Sequence, residues 1–437
     1  MKPQKNELMK QIFIILSIIF SGFNLYSQDT SLKEKALDEF KNEHYDNAIK
    51  ILEQAEKENP NDAEIYYYLG FFNHYHAYDS RPLNGYDFSY SEKIFEYLDK
   101  AIELDPNYGN AKYFYGAECS GNAFQAMQSY NLEKLEYFYV LAYDKGAYPK
   151  WLLEYGKNML ASCDKNSILF MGGNADFDIC FYLQLHQNYR TDITIIPIGN
   201  IDRPWYIKFL KRGLKGAVKK INVNLTENQI DDIHPFKWKT TNVEIALSTK
   251  LKEKHKLSLD YKMQWEVKPD LSSNREHSKI ESEKAKKRTF LSPRRALFLQ
   301  IIDDNFKERP IFFSNATSPM FFAGLDKYFQ NFGLISKLTP IKTENTAFEI
   351  SNTEIENLLQ KEKLKYFSTI IDTDIPRISG IVFGYHSSVL KLAQFYSEKG
   401  NNDEVKKILE FYNNNFLIDF NKEYENYYKA EIKKMIK

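Results

Sequence analysis

The sequence predicts a central, mostly parallel α/β domain flanked on both sides by all-α helical hairpins. Three observations predict it. A pattern of small residues, leucines and a closing proline recurs near the front of the chain. Two continuous apolar runs, at residues 167–171 and 193–198, enclose a stretch of helical spacing. Helical spacing then returns from Leu392 to Leu409. The chain has 437 residues, more than the roughly 100–200 of one domain, so two or three compact units are expected. Apolar residues (43%) and aromatics (15%) supply a core. Lys plus Arg and Asp plus Glu each number 59, which leaves no net field to draw in nucleic acid or an anionic membrane.

Residues 1–27 read as a signal peptide. Lys2, Lys5 and Lys10 precede an apolar run at 12–20, and polar Gln28, Asp29 and Thr30 follow. The run is far shorter than the roughly 20 residues a spanning helix needs. The mature chain is therefore expected to begin near Gln28, to carry no transmembrane span and to reside in the periplasm. Leu25 is larger than the ideal residue before a cut, so the alternative is an uncleaved N-terminal anchor. The three cysteines, Cys119, Cys163 and Cys180, exclude a disulfide framework. Cys163 and Cys180 flank a strand and can form at most one bridge; buried free thiols are the expected state.

In residues 28–150, Ala48, Leu52, Ala55 and Pro60 are echoed by Ile94, Leu98, Ala101 and Pro106, with Leu69 and Gly70 opening the second unit. A weaker third unit runs through Ala111, Gly116 and Cys119 into an aromatic helix at 132–143. The spacing resembles tetratricopeptide repeats of about 34 residues, with about 12 inserted within 74–88. Small residues let paired helices approach, and proline ends the second helix. Stacked hairpins leave a concave face, so a protein or peptide partner in the cell envelope is expected; the alternative is that they buttress the next domain. The inserted region carries His74 and His76 among Tyr75, Tyr78, Arg81 and Tyr86. His-x-His without a third ligand gives no metal site. The region instead reads as an aromatic loop, a packed cap or a glycan- or peptide-contacting surface.

Residues 151–350 form the α/β domain. A helix at 151–161 leads to the strand at 167–171, which ends at Gly172 and Gly173. The next helix is expected to be capped by Asp176 or Asp178 and leads to the strand at 193–198. Pro204 then opens a helix over 205–214. This β-α-β order is Rossmann-like, and such sheets bind ligands beyond the carboxyl ends of their strands. The candidate ligand-binding residues are thus Gly173, Asn174, Asp176 and Asp178 after the first strand, and Asn200, Asp202 and Arg203 after the second. Amides and carboxylates suit hydroxyl groups, and Arg203 suits a carboxylate or phosphate. The same residue types also build caps and turns. Neither a Gly-x-Gly-x-x-Gly fingerprint nor a Walker loop is present, so no nucleotide and no other cofactor is expected.

Further on, the spacing predicts a strand at 221–225, a helix containing Val243, Ala246 and Leu247, a strand at 262–267, a mobile polar loop near 269–287, a helix at 294–306 and a strand at 310–313. Residues 351–437 return to helical hairpins, where Leu392, Ala393, Tyr396, Gly400, Val405 and Leu409 fit a closing tetratricopeptide-like unit.

Several blocks occur in one order: Gly-Gly-Asn-Ala-Asp-Phe-Asp-Ile-Cys-Phe-Tyr-Leu-Gln at 172–184, Arg-Thr-Asp at 190–192, Trp-Tyr-Ile at 205–207, Glu-Arg-Pro-Ile-Phe-Phe at 308–313, Gly-Leu-Asp-Lys-Tyr at 324–328 and Gly-Leu-Ile-Ser-Lys-Leu-Thr-Pro at 333–340. Over roughly 166–416 the chain resembles the soluble C-terminal region of bacterial membrane proteins related to the protein O-mannosyltransferases. In that family, glycosyl transfer belongs to a membrane half that this sequence does not show. The resemblance therefore implies a link to envelope glycosylation without transfer by this chain alone. Relative to the family's acidic motif, Asp176 is kept while Asn174 and Ala175 replace Asp and Asn, which implies weaker binding of any cation or sugar held there.

No catalytic constellation stands out. The eight histidines are scattered, and Cys180 reads as a core thiol. Asp176 and Asp178 are close enough for paired-carboxylate chemistry but also read as helix caps. The expected function is an exported interaction or scaffold module. The alternative is a carbohydrate-binding accessory or glycan-active enzyme using the strand-end loops; no enzyme activity and no catalytic residue is assigned.

Overall fold

A computed structural model describes residues 31–79, 85–270, 290–343, 349–370, 378–416 and 422–436. The expected signal peptide, Arg81 and nearly all of the expected polar loop lie outside these residues.

Helices α1 (Leu32–Lys41), α2 (Tyr45–Glu58), α3 (Ala63–Asp79), α4 (Ser91–Leu104), α5 (Gly109–Gln128) and α6 (Leu132–Asp144) each pack on the next. Ser31 and Glu34 form a capping box that starts α1. Pro60 and Pro106 lie just beyond the ends of α2 and α4. Ala48, Leu52, Ala55, Ile94, Leu98 and Ala101 are all buried, as their spacing requires. One expectation is corrected: α3 continues to Asp79, so His74, Tyr75, His76 and Tyr78 are helical residues, not part of a loop. Their aromatic face has a neighbour to pack on, since Phe71 and His74 meet Phe114 of α5 at ring separations of 4.9 and 5.0 Å.

Helix α7 (Lys150–Ala161) leads into β1 (Ile168–Met171), α8 (Asn174–Gln187), β2 (Thr194–Pro197) and α9 (Pro204–Arg212). Then come α10 (Glu227–Asp231), β3 (Phe236–Lys237), β4 (Thr241–Ala246), α11 (Thr249–Lys254), β5 (Lys262–Val267), β6 (Phe290–Leu291), α12 (Pro293–Asn305) and β7 (Ile311–Ser314). Residues 221–225 form no strand, because Asn222 and Asn224 donate their backbone N–H groups to the side chains of Asn305 and Asp304. The expected helix around Val243 is β4, paired antiparallel with β5. Val243, Ile245 and Leu247 follow a period of two, which prevails over the helical spacing of Val243, Ala246 and Leu247.

Strands β8 (Phe329–Asn331), β9 (Ile335–Leu338) and β10 (Glu349–Ile350) complete a six-stranded sheet in the order β10-β8-β9-β7-β1-β2. Pairs β1/β2, β1/β7 and β8/β10 are parallel, while β7/β9 and β8/β9 are antiparallel. The sheet is therefore mixed, where a mostly parallel one was expected. The turn joining β8 to β9 passes through Gly333 at φ 95°, a conformation open to glycine. Beyond α13 (Asn352–Leu358), helices α14 (Ile378–Glu398), α15 (Asn402–Asn415) and α16 (Lys422–Lys434) pack together. Asn158 of α7 ties this end to the rest by donating to Lys363 O (2.6 Å) and Tyr385 Oη (2.8 Å). Cys119, Cys163 and Cys180 are free and buried.

Arg309, just before β7, gathers the amino ends of the parallel strands. Its guanidinium donates to Asn166 O (2.9 Å), Ser167 O (2.8 Å), Thr194 Oγ1 (2.8 Å) and Lys220 O (3.2 Å). One planar fork serves four acceptors on three segments, which an ammonium cannot do. Arg309→Met leaves these buried acceptors unmet and is expected to lower the unfolding free energy by about 3 kcal/mol in denaturant titration, with Arg309→Lys recovering less than half of it.

Candidate functional site

A cavity of about 720 Å³ opens where α3 and α5 face α8 and the loop after β2. Its floor is built around two buried carboxylates. Glu118, in the middle of α5, is 1% exposed, and the hydroxyls of Tyr86 (2.7 Å) and Ser91 (2.5 Å) donate to it while His74 Nδ1 lies 2.8 Å away. Several partners are what a buried carboxylate requires. Asp178 of α8 accepts from Ser120 Oγ of α5 (2.8 Å) and Tyr139 Oη of α6 (3.0 Å). Burial pushes the Asp178 carboxyl up to about 7, against the lowering effect of these two donors.

Around the carboxylates stands a collar of rings. Tyr86 lies 4.9 Å from Tyr78, 5.0 Å from His74 and 5.0 Å from Phe88, centroid to centroid. Asn200, Arg203 and Trp205 also line the cavity. Tyr148 also lines the cavity, and its hydroxyl is buried with no hydrogen-bond partner among the described residues. Aromatic faces interleaved with carboxylates, an amide and a guanidinium can stack on an apolar ring face while exchanging hydrogen bonds with hydroxyl groups.

The seven residues expected to form one site are divided. Asp178, Asn200 and Arg203 meet in the cavity. Asp176 faces away from it: Ser314 Oγ of β7 donates to its carboxylate at 2.9 Å and Tyr155 bonds it as well, while burial raises its carboxyl to about 6. Neither aspartate caps α8, whose N-cap is Gly173; both lie inside the helix and point into the protein. Gly173 is exposed, and Asn174 is the first residue of α8. Asp202 does not line the cavity; it pairs with Arg294 of α12 at 2.7 Å and holds the loop after β2 in place.

Glu118 and Tyr148 were missed. The signal for Glu118 was present, as a lone acidic residue among the small and apolar residues of α5, but its partners come from segments distant in sequence. Among the described residues, no group of three or more His, Cys, Asp or Glu side chains is placed to hold a metal ion, and no helix is long and apolar enough to cross a membrane.

The family described as TMEM260-associated domain 2 matches residues 152–299 and 272–357 of this chain. That span covers the sheet and α8 but not the helical wall with Glu118 and Tyr86, and it overlaps the stretch that resembles O-mannosyltransferase-related proteins. No curated protein and no solved structure matches.

The raised carboxyls of Asp176 and Asp178 give stability a defined pH dependence. The folded chain keeps protons that the unfolded chain releases from about pH 4 upward, so stability is fully present below pH 4 and falls as pH rises through 6 and 7. Each group contributes a slope of at most about 1.4 kcal/mol per pH unit. Asp192, held at about 2 by Arg190, acts in the opposite sense but only below about pH 4. Thermal unfolding at pH 5 and pH 8 tests this: Asp178→Asn removes one titration and is expected to shrink the difference between the two midpoints, and an unchanged difference refutes it.

Proposed function

We propose that this chain is an exported, periplasmic glycan-binding accessory linked to envelope glycosylation, with its ligand held between tetratricopeptide-type hairpins and a Rossmann-like half-sheet. The observation that carries this reading is the cavity of about 720 Å³, where the ring collar of Tyr78, Tyr86 and Trp205 meets Glu118, Asp178, Asn200 and Arg203. Sugars offer an apolar ring face and several hydroxyls, and this lining answers both. The recurring Ala48, Leu52 and Ala55 pattern supports the repeat assignment, and the parallel trio β2-β1-β7 supports the Rossmann-like one. Export rests on Lys2, Lys5 and Lys10 ahead of the apolar run at 12–20. The link to glycosylation rests on the resemblance to O-mannosyltransferase-related proteins and on the domain match. No reaction is assigned to the cavity.

A protein-binding scaffold is the second reading. Tyr137, Val140 and Tyr143 favour it, since they are exposed at 57%, 36% and 44% along α6.

The mature chain from Gln28, immobilised and exposed to envelope glycans and lipid-linked sugars, tests both readings. Arg203→Ala and Trp205→Ala are each expected to weaken glycan retention at least about tenfold, equivalent to about 1.4 kcal/mol, with an unchanged melting temperature. If all forms retain one defined protein and no glycan, the scaffold reading replaces the glycan one.

A further inference from the structure

Strands β4 and β5 form a two-stranded ribbon, and the outer edges of that ribbon differ. The edge of β5 is engaged: Tyr328 Oη donates to Gln264 O at 2.6 Å and Trp238 Nε1 to Val267 O at 3.0 Å. On the outer edge of β4, no hydrogen bond reaches the backbone of residues 241–246 among the described residues. In an antiparallel pair, every second residue turns its N–H and C=O away from the partner strand, so β4 presents a row of unmet donors and acceptors. Natural edges are blunted by proline, by lysine or by a bulge. Strand β4 reads Thr-Asn-Val-Glu-Ile-Ala, with neither proline nor lysine, and its register with β5 is unbroken. Its one charge, Glu244, is bridged to Lys262 of β5 at 2.5 Å.

A groove of about 620 Å³ runs along this edge. Val243, Glu244 and Ile245 all line it, although Val243 and Ile245 point to one face of the ribbon and Glu244 to the other. Consecutive residues from both faces place the groove at the edge of the strand. From β5 only Trp265 contributes to the described lining. Leu225, Ile233, Trp238 and Leu297 make the groove largely apolar, and Phe236 in the same lining is 41% exposed. The acids of the lining are not equivalent. Glu244 is bridged, and Asp232 lies 3.8 Å from His234. Asp303 has no ion pair among the described residues, and Lys237 is the one lysine or arginine of the described lining.

We infer that β4 accepts an extended segment of a partner protein as a third strand, its alternate apolar side chains entering the groove and a lysine or arginine reaching Asp303. In strand addition of this kind, main-chain hydrogen bonds supply the affinity and side-chain pockets supply the selectivity. A second copy of β4 is a poorer occupant, because that strand holds no cation to bring to Asp303. The groove shares no lining residue with the proposed glycan cavity, so either assignment can fail without the other.

The probe is a decapeptide of alternating lysine and valine, and the control is a decapeptide of alternating glutamate and valine. Calorimetric titration of the mature chain measures binding, and amide hydrogen exchange locates it. The lysine peptide is expected to bind with a dissociation constant below about 1 mM and the glutamate peptide at least about tenfold more weakly. At saturation the lysine peptide should slow exchange across residues 241–246 at least about tenfold. Val243→Lys, which sets a charge in the apolar side of the groove, should weaken binding at least about tenfold, and Asp303→Asn several-fold. If Val243→Lys does not fold, Asp303→Asn and the glutamate peptide carry the test. No binding of the lysine peptide, equal binding of the two peptides, or binding without slowed exchange at 241–246 overturns the inference. Full protection of those amides in the free chain overturns it as well, since the edge is then already occupied.

Discussion

Helix α8 buries two carboxylates two residues apart, and the arrangement of the elements around it follows from satisfying them. A buried carboxylate costs several kcal/mol unless hydrogen-bond donors meet it. The donors to Asp178 come from α5 and α6, and those to Asp176 from α7 and β7. Successive helical positions about 100° apart send the two side chains to opposite sides, one toward the helical layer and one toward the sheet. Close approach of α7 reinforces this, since a Cβ on Gly156 would come within 2.7 Å of Ile179 on α8. The cavity of the candidate site borders this helix through Asp178 and Ile179, so its position is set by the same packing.

The blocks that resemble those of O-mannosyltransferase-related proteins serve mostly to hold this framework. Gln184 donates to the carbonyls of Arg190 and Ile193, which fixes the chain between α8 and β2. Arg190 in turn donates to Leu160 O (2.7 Å), Cys163 O (3.0 Å) and Asp164 O (2.9 Å), and pairs with Asp192 at 2.9 Å. Arg309 does the same for the amino ends of β1 and β2. Guanidinium forks suit this work because backbone carbonyls at strand ends otherwise lack donors. Most of these motif residues thus hold the scaffold together rather than line the cavity.

Much of that scaffold was legible because it depends on local rules. Proline stops, the Ala and Leu spacing of α2 and α4, and the apolar runs of β1 and β2 each act within a few residues. The parts that escaped depend on distant partners. Strands β8 and β10 are three and two residues long, too short for a periodic signal, and exist only because β9 lies alongside β8 and β8 alongside β10. Asp176 and Asp178 had the look of caps, since a carboxylate at the start of a helix usually meets free backbone N–H groups. Here hydroxyls from four other elements took that place, and no spacing within α8 reveals them. The candidate list consequently mixed residues from two sides of one helix.

The division also separates chemistries. On the side of Asp178, carboxylates, rings and Arg203 give the cavity a mixed polar and aromatic lining. On the side of Asp176 the carboxylate is shielded behind Ser314 and Tyr155. A single helix thus turns one acid toward the helical layer and its cavity and buries the other against the sheet, so the two sides of α8 differ in chemistry without a separate domain.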